Sequence, residues 1–406
     1  MDEQEAITKA QALLNRPGDA NVSPLAVYRR AAKADSVQQR RPNVVLIMME
    51  SMSAKFMKHF GQSETLTPFL DSLYTRSISF RNFYSAGIHT NHGLYATLYS
   101  FPAMMKRNLM KGSVIPRYSG LPTVLKENGY YNLFFMTHEG QYDNMNAFFR
   151  TNGYDEVFSQ EDYPADKVVN SFGVQDDFLY DYAIPVLNQR AATGQPFFAT
   201  LLSISNHPPY VIPPFFHPKT SEPEMQIVEY ADWALRQFFE EARKQPWFDN
   251  TIFVLEGDHG KLVGDAECEL PESYNHIPLM IYSNRIQPEE KTAFGGQVDI
   301  QPTILGLLNI DYLQNNFGVD LLKEERPCMF YTADNMVVGR NDTLLYLYNY
   351  ETQQELTYDI GNGKLNAVPM DDSFLPLKEY SFSMLQSAEF LVKHGKTLNS
   401  IPFTQQ

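Results

Sequence analysis

The sequence is poor in cysteine, tryptophan and positive charge, and it has no long apolar run. Two cysteines, Cys268 and Cys328, stand in 406 residues. They form no metal motif and no disulfide framework, and their separation in sequence leaves their pairing open. Lys and Arg total 33 against 48 Asp and Glu, a formal charge of −15. With no basic stripe to offset phosphate repulsion, nucleic acid is excluded as the main partner. The same balance argues against docking on an anionic membrane through the body of the domain. An anionic substrate needs a metal or a few local cations to reverse the field. No apolar run reaches the roughly 18 residues of a membrane span. The opening segment, MDEQEAITKAQALLNRPGD, is acidic and lacks the apolar stretch of a signal peptide. Taken literally that implies a cytoplasmic protein, although Met1 leads straight into a helical segment, as in a trimmed chain.

What is present is globular: 43% hydrophobic and 20% charged residues, enough for one large domain or two ordinary ones. Residues 1–41 read as a polar helical lead-in, broken by Pro17-Gly18, with Leu13–Leu14 and Leu25–Tyr28 available to pack on a body. From Pro42 the character changes. Asn43–Met49 (NVVLIMM) is a continuous apolar run ending in Glu50, the pattern of a strand buried on both faces. Similar runs recur at Asn132–Met136, Phe197–Ser203, Thr251–Leu255 and Leu279–Tyr282. Helical stretches such as Thr67–Arg76, Leu121–Asn128 and Glu229–Lys244 lie between them. The alternation predicts an α/β fold with a mostly parallel central sheet over 42–325. Residues 326–406 predict a smaller subdomain of short antiparallel strands, closed by a helix over Tyr380–His394.

In parallel sheets ligands gather at the C-terminal strand ends. The groups ending these runs are Glu50, Thr137-His138-Glu139, Ser205-Asn206-His207 and Gly257-Asp258-His259. An adjacent carboxylate and imidazole suit Zn, Mn or Fe better than Ca; the plain alternative is a polar loop with a capping Asp. Glu50 ending a buried strand needs a partner, which Lys55 or Arg81 would equally supply. In FYSAGIHTNHGLYATLYSFP, Thr90 sits where a helix begins. Such a Thr most often only caps, but its hydroxyl also faces the anion-favouring helix N-terminus, and a metal would make it a nucleophile. His89 and His92 flank it as candidate ligands or phosphate donors. His207, followed by two prolines that restrict the backbone, is a candidate to bind an oxyanion or protonate a leaving alkoxide. Tyr274-Asn275-His276-Ile277-Pro278 and Val298-Asp299-Ile300-Gln301-Pro302-Thr303 complete the set.

Together these pieces resemble the extracellular catalytic domains of the lipoteichoic acid synthase and phosphoglycerol transferase family, in the alkaline phosphatase/sulfatase superfamily. The resemblance runs collinearly from Asn43 to about Leu307 through NVVLIMMES, FYSAGIHTNHGLYATLYSFP, SISNHPPY, VLEGDHG, NHIPLMIY and VDIQPTIL. It implies an alkaline-phosphatase-like α/β/α sandwich. It also implies one divalent ion, usually manganese with zinc or magnesium as alternatives, held by Glu50, Thr90, Asp258 and His259. Thr90 would be the nucleophile and His207 a substrate-site group, with His89, Asn144 and His276 as further substrate contacts. The family's Trp-Asn-Arg cluster falls on Gln141-Tyr142-Asp143-Asn144-Met145 without its Arg, which detaches the reading from lipoteichoic acid specifically. The sulfatase signature, Cys or Ser followed by x-Pro-x-Arg, is absent.

The implied reaction moves a phosphoglycerol head group from a phospholipid such as phosphatidylglycerol, through a covalent Thr90 intermediate, to an envelope glycan or polymer. The implied location is outside the cytoplasmic membrane, tethered by helices that precede residues 1–41. Rival readings are phosphoethanolamine transfer, a phosphodiesterase, a two-metal phosphatase drawing ligands from His207, His276 and Asp299, and a non-catalytic binder of envelope polymers.

Overall fold

The computed structural model describes residues 2–23, 26–29, 41–112, 114–361 and 363–398. Helix α1 (Glu3–Leu14) precedes a hairpin of β1 (Ala20–Ser23) and β2 (Ala26–Arg29). The body begins with β3 (Asn43–Met49), α2 (Pro68–Tyr74), β4 (Ile78–Tyr84), α3 (Thr90–Tyr99), α4 (Leu121–Glu127), β5 (Tyr131–Met136), α5 (Met145–Thr151) and β6 (Glu156–Phe158). It continues as α6 (Asp176–Ala192), β7 (Phe197–Leu202), α7 (Pro223–Ala242), β8 (Thr251–Gly257), β9 (Leu279–Tyr282), β10 (Glu289–Gly296) and α8 (Ile300–Leu307). The last part comprises β11 (Tyr312–Gln314), β12 (Met329–Thr332), β13 (Met336–Arg340), β14 (Leu344–Asn349), β15 (Gln354–Gly361), β16 (Lys364–Ala367) and α9 (Leu375–Lys393).

Eight strands form the central sheet in the order β10-β4-β9-β8-β3-β7-β5-β6. Only β9 runs antiparallel to its neighbours, β4 and β8. All seven residues of β3 are buried, because both faces are covered. Val44, Leu46 and Met48 face one apolar cluster with α3, α4 and α5. Val45, Ile47 and Met49 face a second, with α2, α6 and α7. The strict alternation is the period of a strand, and it makes the layered α/β/α architecture. Burying each such side chain contributes about 1.5–3 kcal/mol, so β3 is a firm base for Glu50 at its end.

The five C-terminal strands form a wholly antiparallel sheet, β12 to β16 in order, with α9 against it through the Ser381 hydroxyl and the Val338 carbonyl. It is stitched to the body where Thr332 N–H donates to the Ala86 carbonyl at 2.9 Å, and where Tyr331 stacks on Tyr84 with centroids 5.4 Å apart.

The lead-in differs from its helical expectation. Among its described residues only Glu3–Leu14 is helical; β1 and β2 pair antiparallel, and β2 pairs with β11. Val22 and Val27 favour extended backbone, and Pro17-Gly18 ends the helix before them. Leu25 and the side chains of residues 26–28 lie outside the described residues, as does 30–40. Both cysteines are free thiols, Cys328 buried and Cys268 half-buried. Among the described residues no helix is long and apolar enough to cross a membrane.

Candidate active site

The ends of β3 and β8 are in register: Met49 pairs with Gly257 across the parallel ladder. The next residues, Glu50 and Asp258, therefore leave the sheet side by side. Both are buried, and among the described residues no Lys or Arg pairs with either: Lys55 binds Glu267 and Arg81 binds Glu290. Asp258 Oδ1 accepts from the N–H groups of Ser51 at 2.8 Å and His259 at 2.7 Å, while its Oδ2 has no hydrogen-bond partner. His259 Nε2 lies 3.6 Å from that oxygen and 3.9 Å from Glu50 Oε1. Burial, then the neighbouring Asp258 charge, raises the Glu50 pKa well above the carboxylate range. Two buried carboxylates side by side, with no Lys or Arg on either among the described residues, are unfavourable as a charged pair unless something cationic joins them.

The donor set fits such a cation. Glu50, Asp258 and His259 each offer a ligand atom, all within 4.8 Å of one another. His259 Nδ1 lies 2.7 Å from the Gly260 carbonyl. A carbonyl only accepts, so a proton sits on Nδ1 and Nε2 is the atom that faces the carboxylates, the orientation a metal ligand needs. Two carboxylate oxygens with one imidazole nitrogen suit Mn, Zn or Fe. Ser51 follows Glu50 at φ 50°, a left-handed conformation that costs a non-glycine residue about 1–2 kcal/mol. The strain turns its N–H onto Asp258.

Thr90 reaches this cluster from α3. It is the first helical residue; the residue capping the helix is His89, so Thr90 does not play the capping part its sequence position suggested. Its Oγ1 lies 3.5 Å from Glu50 Oε2. The approach depends on Gly93, where a Cβ would stand 2.2 Å from the Asp258 carbonyl oxygen. Gln297 secures the contact, its Nε2 donating to the Gly257 and Asp258 carbonyls at 3.1 and 2.7 Å while Oε1 accepts from Ala86 N–H.

The other expected residues divide. His207 lies outside the three-ligand cluster; its Nδ1 donates to the Pro208 carbonyl at 2.7 Å and its ring lies on Phe172, leaving Nε2 free. His89 is exposed and paired with Asp334 at 2.7 Å. His92 is buried beside His89, and burial, with the two neighbouring histidines, pushes its pKa down to about 3. Asn144 donates to the Met110 carbonyl at 3.1 Å, and its neighbour Asp143 meets Asn91 and Lys111. His276 is taken up elsewhere, bonded to the Arg81 carbonyl at 2.7 Å and stacked on Tyr84. Asp299 is spent on Arg326, as an ion pair in which both are buried. Neither His276 nor Asp299 therefore extends the cluster toward a second metal. His138 is buried against Tyr142.

Sequence reasoning missed Lys261. Its Nζ donates to Asn206 Oδ1 at 2.7 Å and Tyr210 Oη at 3.0 Å, and Asn206 donates in turn to the Glu50 and Ser51 carbonyls at 3.2 Å. The signal was a cation two residues after His259, in a chain where cations are scarce.

A sulfatase family model matches residues 42–310, the stretch that carries the whole of this site. The chain belongs to the sulfatase family. Within its superfamily, lipoteichoic acid synthase 2 of Bacillus subtilis is 24% identical over 315 residues, covering 70% of this chain and 47% of the relative. Phosphoglycerol transferase I of Xanthomonas campestris is 25% identical over 322 residues, covering 75% of this chain and 46% of the relative. The chain thus spans about half the length of these relatives. A protein of the alkaline phosphatase superfamily from Vibrio parahaemolyticus superposes with a TM-score of 0.85 at 27% identity, covering 97% of each chain. The fold is alkaline-phosphatase-like, as the sequence implied.

Proposed function

We propose that this sulfatase-family chain transfers a phosphoglycerol-type head group from a phospholipid to an envelope glycan or polymer, through an ester on Thr90. The observation that carries the reading is the convergence, from three separate chain segments, of Glu50, Asp258-His259 and the Thr90 hydroxyl. The similarity to lipoteichoic acid synthases and a phosphoglycerol transferase supports the choice of group. Residues 42–325 form the catalytic part in this reading, and 326–406 a subdomain against it. The reaction belongs at the outer face of the cytoplasmic membrane, where donor lipid and acceptor meet.

One divalent cation, manganese foremost and zinc or magnesium as alternatives, would be held by Glu50, Asp258, His259 and Thr90. It would acidify the Thr90 hydroxyl and offset phosphate charge. Thr90 Oγ1, its proton given up to solvent, bonds to phosphorus as the bond from phosphorus to the diacylglycerol oxygen breaks, and His207 supplies the proton that the departing oxygen takes up. The α3 N-terminus favours the charge gathered on the non-bridging oxygens. In the second half an acceptor hydroxyl gives its proton to His207 and its oxygen to phosphorus, and Thr90 leaves. His89 and Asn144 would be substrate contacts, whereas His276 is engaged elsewhere.

The test is paired. Asp258→Asn and His259→Ala should lose cation binding by calorimetry and head-group transfer together. Full transfer by cation-free protein would sink the scheme. A second reading, release to water or transfer of phosphoethanolamine, shares the site. It is favoured by the stretch Gln141-Tyr142-Asp143-Asn144-Met145, which by the resemblance corresponds to the family's glycerol-phosphate-gripping cluster and holds no Arg. A cation bound without any turnover would instead favour a polymer-binding relative.

A further inference from the structure

The charge of −15 is unevenly spread. Between Asp71 and Glu127 there is no Asp or Glu at all, while seven Lys and Arg fall in the same span. The densest part is Met104–Arg117, which lies against the site: Lys111 pairs with Asp143 at 2.7 Å, and Asp143 meets Asn91, the neighbour of Thr90. The base of this loop is fixed. Leu109 and Met110 are buried, and Tyr118 N–H donates to Asn152 Oδ1 at 2.7 Å. Its outer residues are not covered: Arg107 and Arg117 are exposed and make no ion pair among the described residues. Val114 is 81% exposed, and Tyr142, beside Asp143, is 45% exposed.

We propose that the segments Met104–Gly112 and Val114–Arg117 dock the protein on a bilayer surface containing anionic phospholipid, on the side of the molecule that carries Thr90. Unpaired guanidinium groups answer anionic head groups, and each cation near an anionic leaflet strengthens attraction about fivefold. An exposed valine and a half-exposed tyrosine, an apolar body with a polar tip, fit the boundary between head groups and acyl chains. A soluble polyanion would use the cations and leave Val114 unexplained. The net charge of −15 opposes contact through the surface at large, so the attraction is local to these cations. The choice of lipid rests on the proposed function, but docking itself requires no turnover.

The experiment uses the whole chain as the Thr90→Ala variant, with vesicles of phosphatidylcholine alone or with phosphatidylglycerol admixed. The variant should co-sediment with the anionic vesicles only, and less so as salt rises. Arg107→Glu with Arg117→Glu should lower that binding by roughly tenfold or more, whereas Arg107→Lys with Arg117→Lys should keep it. Val114→Trp should shift its fluorescence to the blue on anionic vesicles and not on soluble polyphosphate. Equal binding to both vesicles, binding unchanged by the double Glu variant, or an unshifted Trp would overturn the inference. A protein that docks but forms no Thr90 adduct keeps this inference and loses the proposed function; one that forms the adduct with a soluble analogue and does not dock does the reverse.

Discussion

Gly93 is the residue on which the meeting of Thr90 with the acidic pair turns. Its missing side chain lets α3 lie against the Asp258 main chain, where a Cβ would sit 2.2 Å from backbone oxygen. Backbone cannot swing aside as a side chain can, so Gly93→Ala must push the first turn of α3 away. The expected cost is about 1–3 kcal/mol in urea unfolding, with a larger loss of head-group transfer than of cation binding, since three ligands remain. Equal transfer by this variant would show that the close approach is unnecessary. Sequence made the acidic groups legible because each ends a buried apolar run. Thr90 was legible only as a helix start, and the difference between a cap and a first-turn residue depends on where His89 lies. Asp299, a candidate only under the two-metal rival, was illegible as an ion-pair residue because its partner Arg326 stands 27 residues on, and nothing in the intervening sequence announces the pair. The contact that engages His276 was illegible for a related reason: it is the Arg81 carbonyl, on β4.

The elements that hold the site are joined by a second charged contact, in which Glu272, on the loop after β8, meets Arg340 of β13 and accepts from Tyr84 Oη at 3.0 Å. Burial alone would raise the Glu272 pKa, but Arg340, His276 and the Tyr84 hydroxyl bring it down to about 2. A carboxyl depressed in the folded state stabilises above its unfolded pKa, near 4.5, and that contribution is lost as pH falls toward 2. Arg340→Leu should therefore move acid unfolding to higher pH and leave the remaining stability nearly flat in pH between 5 and 7 as far as this pair is concerned. An acid midpoint unmoved by Arg340→Leu would show that the loop is held by other contacts. The core strands β3, β5, β7 and β8 could be read because both faces are covered and their sequences are apolar throughout. β10, EEKTAFGG with its first two residues exposed, and the three-residue β6 have no such run, and edge position is what permits it. The antiparallel course of β9 is likewise invisible locally, since a four-residue apolar run reads alike in both directions.

For the whole molecule, an excess of negative charge surrounds a buried acidic pair whose geometry, with His259, suits a cation. Binding one should stabilise the fold by about 2.7 kcal/mol when free cation stands a hundredfold above its Kd. Thermal unfolding after chelation should fall and recover on adding manganese, saturating at one equivalent; two equivalents would contradict the account in which Asp299 and His276 are otherwise engaged. Charge of this sign also explains why a head-group enzyme would need local cations, Lys261 behind the site and the arginines beside it. The most direct measurement of the central claim is mass spectrometry of the protein quenched in acid after incubation with phosphatidylglycerol. The account predicts a phosphoglycerol adduct on the peptide bearing Thr90, absent from Thr90→Ala although that variant still binds the cation. Undiminished turnover by Thr90→Ala, or an adduct on another residue, would contradict it.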